Sequence, residues 1–154
     1  MKRYGITTPI RAAMFVAQCA HESAGFSTST EFASGAEYEG RRDLGNVKPG
    51  DGVRFKGRGR IQITGRGNYL HVSKAFGKNF IAHPDRLALS PWSEIASAWW
   101  WTNHGLNAIC DAHANTEERL VACTRRINGG THGLDSRRAY LKRAMLVRLA
   151  LVPR

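Results

Sequence analysis

Apolar residues near the start of the chain recur with helical spacing. Ile10, Ala13, Met14 and Ala17 fall on one face, Thr8 stands where an N-cap belongs, and Pro9 suits a first turn. A helix is predicted over about 9–24, stopping at Gly25, a natural left-handed cap. Lys2, Arg3 and Arg11 around the apolar run 12–20 imitate a short secretion signal. Gln18 interrupts that run, however, and cleavage after it would leave His21-Glu22 at a new amino terminus. The polar, glycine-rich stretch 26–59 is too long for a featureless connection and is read as functional. Residues 60–64 alternate like a short strand. A short helix is predicted from about Asn68 to just before Gly77. Ser90-Pro91 opens the next, with Trp92, Ile95, Ala96, Trp99 and Trp100 at helical spacing and Trp101 beside them. That helix is apolar over a wide arc and is expected to be buried; a sugar-stacking platform is the competing reading of its tryptophans.

Asn115-Thr116-Glu117-Glu118 has the form of a capping box. Leu120, Cys123, Thr124 and Ile127 make the inward stripe of the helix that follows, and Asn128-Gly129-Gly130 ends it. A last helix is predicted over about 135–151, with Leu134, Tyr140, Leu141, Ala144, Met145 and Leu149 available for packing. No linker, repeat or low-complexity block interrupts the pattern, so 1–154 reads as one mostly helical domain with a small strand or hairpin. No stretch reaches the roughly 20 apolar residues that a membrane span needs.

Composition adds a partner class. Of 154 residues, 42% are hydrophobic, which excludes a disordered tail. Lys and Arg total 23 against 12 Asp and Glu, a formal charge of +11. Such a surface is drawn to polyanions: nucleic acid, anionic lipid or an acidic cell wall. Three cysteines are too few for a disulfide framework and suit a reducing compartment. Cys19 is expected in the core, while Cys110 and Cys123 pair only if the fold brings them together.

Candidate chemistry begins at His21-Glu22. A zinc peptidase needs a second His four places after the first, and that position is Gly25; no other spacing suits a metal, and no cofactor is expected. Glu22 closes an apolar helix, where the dipole disfavours an anion, an environment that suits a general acid working near neutral pH. The plainer reading is a helix-end Glu paired with an Arg. Two carboxyl groups facing a cleft are the minimal equipment for cutting a glycosidic bond, and Glu31, Glu37 and Glu39 are the candidates for the second. Gly57-Arg58-Gly59 suggests phosphate or RNA backbone, but lacks the Lys-Ser/Thr ending of a phosphate loop and the aromatic pattern of an RNA-binding strand.

Ala20-His21-Glu22-Ser23-Ala24-Gly25-Phe26, Tyr38-Glu39-Gly40-Arg41, Asp43-Leu44-Gly45-Asn46, the run Gly57 to Thr64, Asn68-Tyr69 and Ile127-Asn128-Gly129-Gly130 together resemble glycoside hydrolase family 19. That family includes plant class I chitinases and bacteriophage endolysins. The resemblance spans about 4–143 and looks closer to the endolysins, through the short Tyr-Glu-Gly-Arg to Asp-Leu-Gly-Asn form and the turn Pro49-Gly50-Asp51-Gly52. It implies an inverting glycosidase with a two-lobed, mainly helical, lysozyme-like (α+β) domain and a central substrate cleft. Glu22 matches the general acid. The general base lies in the variable stretch, where Glu39 stands ahead of Glu31. Thr64 matches the residue that holds the attacking water. Gln62, Asn68, Tyr69 and Asn128 match positions that line the cleft or contact sugar, and Arg137, or Arg138 beside it, an Arg that pairs with the catalytic carboxylates. Arg58 and Arg137 are expected to keep the base charged while the acid stays neutral. Two departures stand out. Ala24 replaces a Gly or Thr of many relatives, and the chain starts almost at its first helix.

The resemblance implies a β-1,4 amino-sugar polymer as substrate. The charge favours peptidoglycan over chitin, since bacterial envelopes are anionic. The chain then reads as a monomeric endolysin without a separate wall-binding module. With no signal peptide recognised, it waits in the host cytoplasm and reaches the periplasm and wall through a holin-type pore at lysis. Two other classes remain: a basic nucleic-acid binder, and a membrane-active protein whose last helix sets Arg137, Arg138, Lys142, Arg143 and Arg148 around apolar positions. The endolysin reading predicts no nucleic-acid partner and no stable membrane insertion.

Overall fold

A computed structural model describes residues 1–112 and 115–151, and the side chains of 1–112 and 115–147. Its described residues form α1 (Pro9–Glu22), α2 (Asp51–Arg54), α3 (Arg66–Phe76), α4 (Trp92–Asn103), α5 (Leu106–Ala112), α6 (Thr116–Asn128) and α7 (Leu134–Leu151), with short 3-10 turns at Lys2–Tyr4, Ala36–Tyr38, Arg42–Leu44 and Pro84–Ala88. The molecule is mainly helical, as expected. The chain divides into two compact units, one of residues 1–25 and 98 onward, the other of residues 26–97, with the division falling inside α4.

In the first unit α1 is the central element, packed on α7, α5 and α6. Thr8 caps it by accepting a hydrogen bond from Arg11 N, and Pro9 occupies its first turn. Met14, Ala17, Cys19 and Ala20 are buried, and Phe15 meets Trp101 edge to face at 5.4 Å. The helix ends at Glu22, two residues earlier than the spacing predicts. The Ser23 hydroxyl turns back to Cys19 O at 2.6 Å, and Ala24 and Gly25 both take positive φ. Asn115 caps α6 through Glu118 N at 2.8 Å. Cys110 on α5 and Cys123 on α6 are brought together, Sγ to Sγ 3.8 Å, as free buried thiols. On α7 Leu141 is buried, whereas Met145, expected to pack, is exposed. The side chains of Leu149 and Arg148, also expected there, lie outside the described residues. Among the described residues no helix is long and apolar enough to cross a membrane.

In the second unit the expected strand over 60–64 is corrected. Only isolated bridges form, Thr30 with Arg58 and Arg58 with Ile63. Gln62 sits at φ 57, which breaks an extended run, yet Ile61 and Ile63 are still buried on either side of it. α3 begins at Arg66 rather than near Asn68. Its cap comes from far along the chain: Asn46 Oδ1 accepts from Arg66 N at 2.8 Å. The polar stretch 26–59 is knit by carboxylates. Asp51, buried, takes Val47 N, Lys48 N and both sides of the Arg66 guanidinium. The tryptophans divide. Trp101 is buried, Trp92 packs against Phe76 and Phe80, and half-buried Trp100 stacks on His104 at 3.7 Å between centroids.

Candidate active site

The first unit builds its polar centre around Glu22, the last residue of α1. Its side chain is 18% exposed, and its Oε1 accepts from Arg137 Nη2 at 2.5 Å. Arg137 lies in the first turn of α7 and is itself only 1% exposed. A buried guanidinium must have its donors bonded. Here Nε donates to His132 O at 3.2 Å and Nη1 donates to Gln18 Oε1. Arg138, the adjacent candidate, points elsewhere, to Glu117 and Asp135. The His21 ring lies against Gly133, a glycine at φ 70 that leaves no room for a Cβ, and its Nδ1 sits 3.0 Å from Ser136 Oγ. Burial holds the His21 imidazole below its ordinary range, with Arg137 acting in the same direction and Glu22 against it. Asn128 shapes the turn into α7: its Oδ1 accepts from Gly130 N at 2.9 Å and its Nδ2 donates to His132 O at 3.0 Å.

In the second unit three of the anticipated residues, Glu31, Gln62 and Thr64, meet at one glycine. Glu31 Oε2 accepts from Gly57 N at 2.9 Å, Glu31 Oε1 accepts from the Tyr38 hydroxyl at 2.8 Å, and Glu31 N donates to Gly57 O at 2.9 Å. A Cβ on Gly57 would stand 2.6 Å from Gln62 Oε1, 3.1 Å from Glu31 Oε2 and 3.3 Å from Thr64 Oγ1. A carboxylate, an amide and a hydroxyl thus converge on a glycine where an added Cβ would crowd all three. Gln62 is held there in a left-handed conformation that costs a non-glycine residue about 1 kcal/mol or more, the kind of strain that collects at functional sites. Its Nε2 donates to Gly59 O at 3.0 Å, and Asn68 Nδ2 donates to Thr64 O at 2.7 Å, so the cluster is tied together from below. Burial, then the bond to Glu31, raises the Tyr38 phenol well above its ordinary range and keeps it a donor.

Three anticipated residues stand apart from this cluster. Glu39 uses both carboxylate oxygens on backbone, accepting from Gly50 N at 2.7 Å and Gly52 N at 2.8 Å. Tyr69 is fully buried, its hydroxyl donating to Lys56 O at 2.8 Å, and therefore cannot contact sugar directly. Arg137, expected with Arg58 to keep the base charged, meets Glu22, the acid candidate, instead, and Arg58 turns to Asp85 Oδ1 at 2.7 Å and to the Tyr69 hydroxyl at 3.0 Å. It is nearly buried, and an interior cation needs such a partner. Gln18 and Tyr38 are contacts that the motifs did not assign. Gln18 carried a signal, as a polar residue inside an apolar helical run and one turn before Glu22; Tyr38 carried none.

Residues 7–118 match the family described as chitinase class I, glycoside hydrolase family 19. A glycosyl hydrolase family 19 domain-containing protein of Haemophilus influenzae is 31% identical over 179 residues, covering 96% of this chain and 84% of that one. An acidic 27 kDa endochitinase of Solanum lycopersicum is 33% identical over 137 residues, 77% of this chain and 52% of that one. The chain thus spans most of the bacterial relative and about half or less of the plant ones. The fold is shared with a class IV chitinase from Zea mays, TM-score 0.69 at 22% identity over 100% of this chain and 74% of that one. It is also shared with chitinase C of Streptomyces griseus, TM-score 0.67 at 22% identity over 90% and 59%. This chain belongs to glycoside hydrolase family 19, a family of glycosidases.

Proposed function

We propose that this protein hydrolyses β-1,4 bonds between amino sugars with inversion, using Glu22 as general acid and Glu31 as general base. The observation that carries the reading is the convergence of Glu31, Gln62 and Thr64 on Gly57. Each carboxylate takes two neutral donors, Glu31 from Tyr38 and Gly57 and Glu39 from Gly50 and Gly52, but Glu31 alone has the Gln62 amide and the Thr64 hydroxyl, which can orient water, converging on the same glycine. In the reaction Glu22 gives its proton to the leaving oxygen as the glycosidic bond breaks. Water held by Thr64 attacks the anomeric carbon and passes a proton to Glu31, and exchange with solvent resets both groups. Arg137 stabilises the carboxylate that Glu22 becomes. Gln62, Asn68 and Asn128 are the remaining candidates for sugar contact.

The proposed substrate is bacterial peptidoglycan, and the proposed role is that of a monomeric endolysin released from the host cytoplasm to the wall through a holin-type pore. The +11 charge supports this, because it binds an anionic wall in a salt-dependent way. Chitin is the second reading, favoured by the plant relatives, which are named endochitinases. Purified protein added to outer-membrane-stripped Gram-negative cells and, separately, to colloidal chitin decides between them. Clearing of cells that weakens with salt is expected. Clearing of chitin but not cells reverses the substrate, and activity on neither, at any salt, refutes the reaction.

A further inference from the structure

Gln18 lies four residues before Glu22 on the same side of α1 and is fully buried. A primary amide in such a place is costly unless both its ends are bonded. Here Nε2 donates to Thr124 Oγ1 at 3.1 Å, and Oε1 accepts from Arg137 Nη1. Thr124, also fully buried, spends its own proton on Leu120 O at 2.7 Å. Its oxygen is therefore left as an acceptor, and this fixes which way the Gln18 amide faces. A flipped amide would set its NH2 against the Arg137 guanidinium, donor against donor. Arg137 in turn is gripped at three nitrogens, by His132 O, Gln18 Oε1 and Glu22 Oε1.

We propose that Gln18 and Thr124 are positioning residues for the acid. They form a neutral relay from Leu120 O through Thr124 and Gln18 to Arg137 that sets where the guanidinium meets Glu22. The neutrality matters. Gln18 supplies an acceptor without a charge, so Arg137 directs its charge at Glu22 rather than dividing it with a second carboxylate. This inference rests on Glu22 being the general acid.

The test compares wild type, Thr124→Val, Thr124→Ser and Gln18→Leu on whichever glycan the wild type cleaves, with Glu22→Gln as the inactive reference. Thr124→Val keeps the side-chain shape and removes the hydroxyl; Thr124→Ser restores it. The expected result is a kcat loss of about tenfold in Thr124→Val and more in Gln18→Leu, at a KM within about twofold of wild type, because misplacing a catalytic group acts on the transition state. Thr124→Ser is expected to match wild type. In 15N-resolved spectra the Arg137 guanidinium protons are expected to exchange with water faster in Thr124→Val and Gln18→Leu, but not in Thr124→Ser. If Gln18→Leu fails to fold, the Thr124 pair carries the comparison. Wild-type kcat in folded Thr124→Val overturns the relay. A wild type inactive on both glycans defeats the proposed reaction instead, and unchanged Arg137 exchange in Thr124→Val then overturns the relay on its own.

Discussion

Exchanging Glu31 and Glu39 for glutamine, one at a time, separates the two candidate bases. Glu31→Gln keeps the side-chain volume and an oxygen for Gly57 N, 2.9 Å away in the parent, but cannot accept a proton from water. General-base catalysis contributes about 10²- to 10⁴-fold, so kcat should fall by that factor, about 3–5 kcal/mol of barrier, with the fold intact. Glu39→Gln meets a different geometry. The parent carboxylate accepts from two amides, Gly50 N at 2.7 Å and Gly52 N at 2.8 Å. A glutamine offers one oxygen, so its NH2 is set against a second donor. The cost is one charge-assisted hydrogen bond, about 1.5–3 kcal/mol at most and less at this exposed position, where water replaces the lost partner. The expected result is a lower melting temperature with kcat within about tenfold of wild type, under 1.4 kcal/mol of barrier. Initial rates of reducing-end release, with thermal unfolding of the same samples, make the measurement. A Glu39→Gln protein that melts like wild type but loses more than about 100-fold in kcat, beside an active Glu31→Gln, would refute the assignment.

Asp51 predicts an acid-sensitive loop. The Arg66 hydrogen bond, opposed by burial and helped by the Lys48 and Val47 amides, lowers its carboxyl from 3.8 to about 2. A depressed carboxylate stabilises the fold above its unfolded value and loses that contribution as pH falls from about 4 towards 2, here about 2 kcal/mol. Melting temperatures across that window should drop less in Asp51→Asn than in wild type; parallel curves would contradict the assignment. Gly133→Ala should destabilise by more than about 1 kcal/mol, since its φ of 70 is strained for alanine and the new Cβ meets the His21 ring; an unchanged urea midpoint would count against the described packing. Tyr38→Phe removes one of the two donors that hold Glu31, and an approximately tenfold loss of kcat without loss of fold is expected. Wild-type rates would remove Tyr38 from the base's support.

The helices that sequence reasoning places best are those whose ends are chemically local. Thr8 with Pro9, and Asn115 with Glu118, announce α1 and α6 because the capping side chain and the amide it satisfies are three residues apart. The start of α3 has no such local mark, because the side chain that satisfies Arg66 N, Asn46, lies twenty residues upstream. The alternation at 60–64 was a true signal of burial, borne by Ile61 and Ile63, and a false one of strand, because Gln62 adopts a conformation that no periodicity reveals. At the candidate site, the pairing of Glu22 with an Arg is legible in the sequence. The difference between Glu31 and Glu39 was not, since it depends on which distant backbone amides each meets, Gly57 for one and Gly50 with Gly52 for the other. Tyr69 misled because an aromatic next to a polar motif reads alike whether its hydroxyl faces sugar or Lys56 O.

A chain of charge +11 has arginine to spare, and it spends its carboxylates on it: Asp43, Asp51, Asp85, Glu94, Asp111 and Glu117 each face a guanidinium. Glu22 follows this rule through Arg137. Glu31 breaks it. Among the described residues it forms no ion pair, and its oxygens rest on a phenol and a backbone amide, both neutral donors; Glu39, on two backbone amides, is alike in this and differs in lacking the Gln62 and Thr64 groups beside it. The distinction suits the two proposed roles. An acid that gives up a proton leaves an anion, and a cation 2.5 Å away stabilises that anion as it forms. A base that must take a proton from water is poorly served by the same partner, because a salt bridge stabilises the charged form it has to leave. Neutral donors orient the carboxylate without setting a charge beside it. In a protein so rich in arginine, keeping guanidinium away from Glu31 is therefore as much a part of the proposed chemistry as placing one on Glu22.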